Sequence, residues 1–199
     1  MSEPGVHSAL AALKRFTAQA PRDERCDLCG APLTEQHDHL LDPEQRRLVC
    51  ACRGCSLLFP NAAAGRYRRL QTRAQRLPDF QLSDADWRAL EIPVRLVFLT
   101  PSRVHARVFA TYPNAGGATE ASVPIEAWNA LVLAQPALAQ IEPDVEALLI
   151  DQRPGRSRSS IVSVDVCYRI IGLLRARRGQ AGAREVEDAL ARLDEACHA

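Results

Sequence analysis

Lysine is almost missing from this 199-residue chain, because Lys14 is the single lysine among 25 basic residues. This arginine bias, with abundant alanine, is typical of a GC-rich genome, so one arginine says little about binding. Long apolar runs are also missing, and none approaches the roughly 20 residues of a membrane span. The N-terminus lacks the apolar core of a signal peptide, since Lys14 and Arg15 interrupt a weakly apolar stretch. We therefore expect a cytoplasmic protein without a membrane span.

An excess of charge and the common catalytic motifs are missing as well. The formal net charge of +1 predicts no general attraction to nucleic acid or membrane. The chain contains no P-loop and no G-x-S-x-G motif, and Gly116-Gly117 lacks the strand–glycine–helix context of a dinucleotide site. With 47% hydrophobic residues the chain can bury an ordinary globular core. The sequence therefore does not point to an enzyme.

Cysteine is the residue type that the chain does use in a pattern. Five of its seven cysteines lie within residues 26–55, whereas Cys167 and Cys197 lie far away. A secreted disulfide scaffold would spread its cysteines along the chain. In a reducing compartment, a tight cluster of this kind favours metal binding.

Two C-x-x-C motifs define the predicted metal site. Cys26 and Cys29 form the first, and Cys52 and Cys55 form the second. Two residues between cysteines let both sulfurs reach one ion, and Gly30 suits the left-handed backbone position that follows such a turn. Four thiolates make a closed tetrahedral site, so we expect one structural zinc ion per chain. A single iron ion, as in rubredoxins, is the alternative, and unligated cysteines are the remaining one.

Three more residues near the motifs are candidate ligands. Cys50 is either a buried strand residue or a fifth thiol near the ion. His37 and His39 are most simply read as part of an exposed polar loop. They would replace a ligand of the first ion, or form a separate site with Cys50, only if the segment is extended, because residues i and i+2 then point to one side.

The predicted fold class is α+β: an N-terminal zinc-knuckle module, similar to a zinc ribbon, followed by a small antiparallel sheet with packed helices. We divide the chain into an N-terminal segment with a possible short helix (1–20), the four-cysteine metal-binding module (21–60), a linker (61–80) and the α+β domain (81–199). Strands are predicted at 47–50, 94–99, 104–112, 118–124 and 161–164, and residues 145–150 form either a strand or a helical turn. Helices are predicted to start after Ser83 and over 125–135, 166–177 and 184–197.

A basic stretch offers a different kind of function. Eight arginines and no acidic residue lie between Arg46 and Arg76. Basic residues beside a zinc module can contact phosphates, so nucleic acid is a possible partner. A solvated or partner-facing segment in an arginine-rich chain is the interpretation that we prefer.

Several segments together resemble a known family. They are residues 26–32, 37–42, 47–59, 65–68, 78–80, 92–94, 112–113, 117–120 and 165–169. These are similar to a family of unassigned function that is encoded beside uptake nickel–iron hydrogenase genes in actinobacteria and some proteobacteria. The resemblance implies an accessory role in maturation, assembly or electron delivery, with a hydrogenase subunit or maturation factor as partner. It also implies that Cys50, His37 and His39 belong to the family pattern. We therefore expect a non-enzymatic accessory protein.

Overall fold

The computed structural model of the chain describes residues 24–59, 65–71, 73–114, 117–176 and 180–196. The helix predicted within residues 1–20 lies outside this part. The described residues form two antiparallel sheets, one of three strands near the N-terminus and one of six strands. Helices accompany both sheets, so the α+β fold class is confirmed. Within the described ranges, no helix has the length and apolar content needed to cross a membrane.

The three-stranded sheet carries the cysteine-rich part of the chain. Strands β1 (Asp38–Asp42) and β2 (Arg47–Ala51) form a hairpin, helix α1 (Arg53–Leu58) follows, and β3 (Arg68–Arg69) pairs with the other edge of β1. One face of the hairpin is a small apolar core of Leu40, Val49 and Ala51, all of them fully buried. Residues 38 and 39 are therefore in a strand rather than in the exposed loop that the polar sequence suggested.

The six-stranded sheet has the order β4-β9-β8-β5-β6-β7, with every neighbouring pair antiparallel. Its strands are β4 (Ala74–Arg76), β5 (Leu96–Ser102), β6 (Arg107–Asn114), β7 (Gly117–Val123), β8 (Glu146–Asp151) and β9 (Arg158–Ser163). The central strands β5 and β8 are apolar on both sides because both faces of the sheet are covered.

Helices pack on each face of this sheet. Helices α2 (Asp84–Ala89) and α3 (Ile125–Ala134), with a 3-10 turn at Pro136–Gln140, share one core with alternate strand residues such as Leu99 and Leu148. Helices α4 (Val164–Ala176) and α5 (Gln180–Ala196) share the second core with the residues between them, such as Phe98 and Leu149. The alternation follows from the two-residue period of a strand.

The predicted elements mostly correspond to observed ones, but β1 and α1 were not predicted, and three further expectations differ from the structure. The hairpin of β5 and β6 turns at residues 103–106, because β5 continues through Pro101-Ser102, where we expected the turn. Helix α5 begins at Gln180 and includes Gly182, which we expected to precede it. Residues 61–80, expected to be a linker, contain β3 and β4, which pair with different sheets.

Two arginines fasten the small sheet to the large one. Arg46, in the β1–β2 turn, places its guanidinium 3.5 Å from the centre of the Phe109 ring and forms an ion pair with Glu120. Arg68 of β3 is buried and donates to the carbonyl of Pro143 at 2.8 Å. A buried apolar cluster also joins the two parts, because Leu41 of β1 packs against Val145 and Val164.

Candidate metal centre

The first cysteine pair lies in a tight turn closed by backbone hydrogen bonds. The N–H of Cys26 donates to the carbonyl of Ala31 at 2.8 Å, and the N–H of Gly30 donates to the carbonyl of Cys26 at 2.8 Å. Gly30 has a φ of 75°, a left-handed position that favours glycine. The predicted role of Gly30 is therefore confirmed, and the turn presents both thiols on one side.

The second cysteine pair lies at the start of a helix. Cys52 is the N-cap of α1, and its sulfur accepts a hydrogen bond from the N–H of Cys55 at 3.5 Å. The carbonyl of Cys52 accepts from the N–H of Ser56 at 2.9 Å. The two pairs are thus different in backbone, although the sequence suggested that they mirror each other.

The two pairs meet at one point. The four sulfurs of Cys26, Cys29, Cys52 and Cys55 all lie within 4.8 Å of one another. The sulfurs of Cys29 and Cys52 are 3.7 Å apart. Zinc–sulfur bonds of about 2.3 Å in a tetrahedron place neighbouring sulfurs about 3.8 Å apart. These four cysteines therefore have the spacing and the donor chemistry to hold one metal ion.

Within the cluster, the thiols of Cys26 and Cys55 have pKa values that are shifted in opposite directions. Burial acts to raise the pKa of Cys26, but backbone N–H groups, that of Cys52 foremost, lower this pKa to about 6. The side chain of Cys29, together with burial and the other thiols, raises the pKa of Cys55 to about 12. One thiol ionises readily while another holds its proton. A bound cation removes this conflict, because coordinated thiols lose their protons.

Near the second cysteine pair, the side chain of Asp38 contacts residues of helix α1 and not the cysteine sulfurs. Asp38 accepts from the hydroxyl of Ser56 and lies 3.4 Å from the guanidinium of Arg53. The hydrogen bond from Ser56, followed by the charge of Arg53, holds the pKa of Asp38 below its ordinary value. Arg53 therefore pairs with the carboxylate of Asp38.

Cys50, His37 and His39 form a second group, separate from the four thiols. One ligand atom from each lies within 4.8 Å of the others. Burial, then the neighbouring His37, lowers the pKa of His39, and burial raises the pKa of Cys50. Cys50 lies in strand β2, as one of its two alternatives predicted, but it is half-buried rather than buried.

Asp27 is a residue of the site that the sequence reasoning did not single out. It lies inside the first C-x-x-C motif, and its carboxylate accepts from the N–H of Cys50 at 2.8 Å. Its own N–H donates to the carbonyl of Cys50 at 2.9 Å. A carboxylate at this turn position was visible in the sequence, but its partner lies 23 residues away.

Cys167 lies away from both groups. It is buried in the core between the six-stranded sheet and helices α4 and α5, and burial holds its pKa well above the ordinary value. Such surroundings are those of a packing residue rather than of a reactive thiol. Cys197 lies outside the described residues.

Comparisons with known proteins give a family and nothing more specific. No curated protein and no solved structure matches the chain. A family model described as a family of unknown function, DUF5947, matches residues 25–198. This range contains both cysteine pairs, both sheets and the second group of candidate ligands. The chain is therefore a member of the DUF5947 family.

Proposed function

We propose that this protein is a non-enzymatic, zinc-binding accessory protein that acts in nickel–iron hydrogenase maturation or assembly through protein contacts. The observation that carries the zinc part is the group of four cysteine sulfurs within 4.8 Å of one another. Four protein thiolates complete a tetrahedral shell, so this ion has no position left for a substrate. The site therefore supports a structural ion rather than a catalytic one.

The small size of the core around the site supports the same role. Its fully buried apolar residues are Leu40, Val49 and Ala51. A core of this size stabilises a fold only weakly, and a structural ion then supplies part of the folding free energy. We propose that zinc holds the first turn, the hairpin and helix α1 together.

Helix α1 also offers a surface for a protein partner. Leu57 and Leu58 expose 57% and 73% of their surface, although leucine is usually buried. They follow directly on the second cysteine pair, so the ion would fix their orientation. The hydrogenase assignment itself comes from the sequence resemblance described above. We propose a hydrogenase subunit or maturation factor as the partner, and a cytoplasmic location.

Metal content is the first test. Protein purified anaerobically without a histidine tag should contain zinc that is lost in Cys26→Ser but kept in Cys167→Ser, as counted by elemental mass spectrometry. Cys167 is the matched control because it lies in the other core. Iron in place of zinc would instead favour the rubredoxin-like electron carrier, which predicts a red protein with a reversible one-electron couple. Unchanged metal content in Cys26→Ser would exclude the proposed ligands.

Partner capture is the second test. Affinity purification from native cells should recover a hydrogenase component with the wild-type chain and lose it with Leu57→Ser/Leu58→Ser. Leu133→Ser is the control, because this leucine is 84% exposed but lies on α3, beside the six-stranded sheet. Recovery of no hydrogenase component, together with normal hydrogenase activity in a deletion strain, would refute the assignment.

The arginine-rich stretch gives less support to the nucleic-acid alternative than its sequence suggested. Five of its eight arginines are paired with carboxylates of this chain. They are Arg46, Arg53, Arg66, Arg68 and Arg73. An arginine held by an internal carboxylate contributes less to phosphate binding than a free one. Salt-dependent binding of DNA or RNA at low ionic strength would restore this alternative.

A further inference from the structure

One face of the β1–β2 hairpin gathers three side chains that bind transition metals. His37 directly precedes β1 and His39 is the second residue of that strand, and the contact between their rings places both side chains on the same side. Cys50 of β2 lies directly opposite His39 in the strand register. Directly opposed residues of an antiparallel pair share a face. The imidazole rings are 4.7 Å apart, and one ligand atom from each of the three residues lies within 4.8 Å of the others.

His37 is oriented as a metal ligand. Its Nδ1 lies 2.9 Å from the carbonyl oxygen of Thr34. Because a carbonyl can only accept, Nδ1 carries the proton, and the lone pair of a neutral ring is on Nε2. The carboxylate of Glu24 lies 3.6 Å from the same Nδ1. Metal-binding histidines are commonly held in this way by a carbonyl or a carboxylate on the far nitrogen.

The lone pair of His37 is buried without a partner. The side chain is only 8% exposed, and among the described residues nothing forms a hydrogen bond with Nε2. A buried polar atom that is left unpaired costs about 1–3 kcal/mol. A metal ion held between Nε2 and the neighbouring ligands would remove this cost. This atom is therefore an observation, independent of the spacing, that points to a ligand.

Cys50 is also held in place, and by the first cysteine turn. The carboxylate of Asp27 accepts from the N–H of Cys50 at 2.8 Å, and the N–H of Asp27 donates to the carbonyl of Cys50 at 2.9 Å. Asp27 lies between Cys26 and Cys29, so the turn that supplies two thiols also fixes a third one nearby. A rigid backbone keeps the thiol opposite His39, as a preformed site requires.

We propose that His37, His39 and Cys50 bind a second metal ion, a borderline divalent transition ion such as zinc, cobalt or nickel, with a fourth coordination position open to water or an exchangeable ligand. Two imidazoles and one thiolate suit ions of this class. No other histidine, cysteine or carboxylate of the described residues belongs to the group. Three protein ligands with an open position characterise reactive or exchanging sites rather than closed structural ones. On binding, Cys50 releases its thiol proton to solvent.

The site reaches the surface at one of its ligands. His37 lines a surface cleft together with Thr34, Gln36 and Arg53, and Cys52 of the first site lines the same cleft. The first site differs from it in being closed by four thiolates. We therefore expect the first ion to be retained through purification and the second to exchange with added metal, independently of whether the partner is a hydrogenase component.

Cobalt(II) is the probe that separates the two sites. The zinc-loaded full chain is dialysed against excess cobalt(II), freed of unbound metal, and analysed by elemental mass spectrometry and visible absorption. Wild-type protein should hold about two ions in total, and His37→Ala/His39→Ala about one, with the four-thiolate zinc retained. His105→Ala is the control, because this histidine lies in the turn between β5 and β6. It should keep both ions.

Cys50→Ser keeps the test valid if the double histidine variant does not fold. This change of sulfur to oxygen should weaken cobalt binding more than about 10-fold and remove the single thiolate-to-cobalt charge-transfer band. A wild-type protein that holds only about one ion would overturn the proposal. Two ions in the double variant, or an unchanged cobalt spectrum in Cys50→Ser, would overturn it as well. None of these outcomes depends on the hydrogenase assignment.

Discussion

At the scale of single residues, one glycine and one aspartate each contribute to the stability of the folded protein. Gly30 adopts a left-handed conformation next to Cys29, and Asp151 is a buried carboxylate whose charge is balanced within the chain. In both cases the physical cause is local and can be tested by one substitution. A matched position elsewhere in the chain supplies the control.

The first prediction concerns Gly30. Gly30→Ala should lower the free energy of unfolding of the zinc-loaded protein by about 1 kcal/mol, because a left-handed backbone is strained for residues with a Cβ. Space is not the reason, since a Cβ at this position meets no atom within 4 Å. Chemical denaturation followed by circular dichroism measures the change. Gly54→Ala is the control, because Gly54 lies in helix α1 without a positive φ, and it should not destabilise. Equal effects of the two changes would contradict this account.

The second prediction concerns Asp151 and pH. Burial acts to raise the pKa of Asp151, but the hydrogen bonds and charge of Arg153, at 2.7–2.8 Å, hold it below its ordinary value. A carboxyl group with a lowered folded-state pKa stabilises the fold above its unfolded pKa of about 3.9 and loses this effect as pH falls through the folded value. Asp151→Asn should therefore cost about 1–3 kcal/mol at pH 7.

The measurement is denaturation of Asp151→Asn and wild type from pH 7 down to pH 3. The difference between the two should shrink as Asp151 of the wild type becomes protonated. Asp84→Asn is the comparison, because Asp84 also pairs with an arginine, at 2.7 Å, but its side chain is 82% exposed. It should cost no more than about 1 kcal/mol. A difference that stays constant with pH would show that the charge of Asp151 is not the cause.

At the scale of elements, strand register decides which side chains meet at the site, and capping stabilises the start of a helix. The register of β1 and β2 places His39 opposite Cys50 and Leu40 opposite Val49. A slip of one residue would move the apolar pair to the other face, so burial of Leu40 and Val49 also fixes the positions of the candidate ligands His39 and Cys50. The core of this small sheet thus determines which side chains meet on its opposite face.

The third prediction concerns the start of helix α2. Ser83 and Asp86 form a capping box, in which each side chain accepts from the backbone N–H of the other residue, at 3.2 and 2.8 Å. Ser83→Ala should destabilise the protein by about 1 kcal/mol, because an N–H of the first turn loses its acceptor. Thermal unfolding followed by tryptophan fluorescence, to which Trp87 of this helix and Trp128 contribute, measures the loss. Ser83→Asp retains an acceptor, and a loss as large as that of Ser83→Ala would argue against capping.

At the scale of the whole molecule, two parts each have their own core and are joined by polar contacts and by one small apolar cluster of Leu41, Val145 and Val164. The six-stranded sheet has an apolar core on each face, whereas the small sheet has three fully buried apolar residues. Arg46 and Arg68 reach from the small sheet to the larger part. Stability should therefore be distributed unevenly between the parts.

The fourth prediction follows from this difference. Removing the metal with a strong chelator should abolish hydrogen-exchange protection in residues 38–58 while the strands of the six-stranded sheet stay protected, because only the small core depends on the ion. Hydrogen exchange read by mass spectrometry makes the comparison within one sample. Zinc added back should restore protection. Loss of protection across both sheets would mean that the two parts unfold together.

Short-range patterns in the sequence were enough to predict the four-thiolate group and most of the elements. The two C-x-x-C motifs, Gly30 and the cap at Ser83 each act within a few residues, and the structure has all of them in the expected places. The α+β class followed in the same way from alternating and helical periods. Zinc, the partner and the division into domains stay predictions.

Contacts between distant parts of the chain became known from the tertiary structure alone. The polar sequence around His37 suggested a loop. The residues that follow His37 instead form β1, which pairs with β2 on one side and with β3 on the other. That pairing brings Cys50 to His39 and Asp27 to Cys50, and the ion pairs of Arg46 and Arg68 hold the two sheets against each other. Strand register and side-chain pairing depend on residues far apart in sequence, and short-range patterns carry no information about such distances.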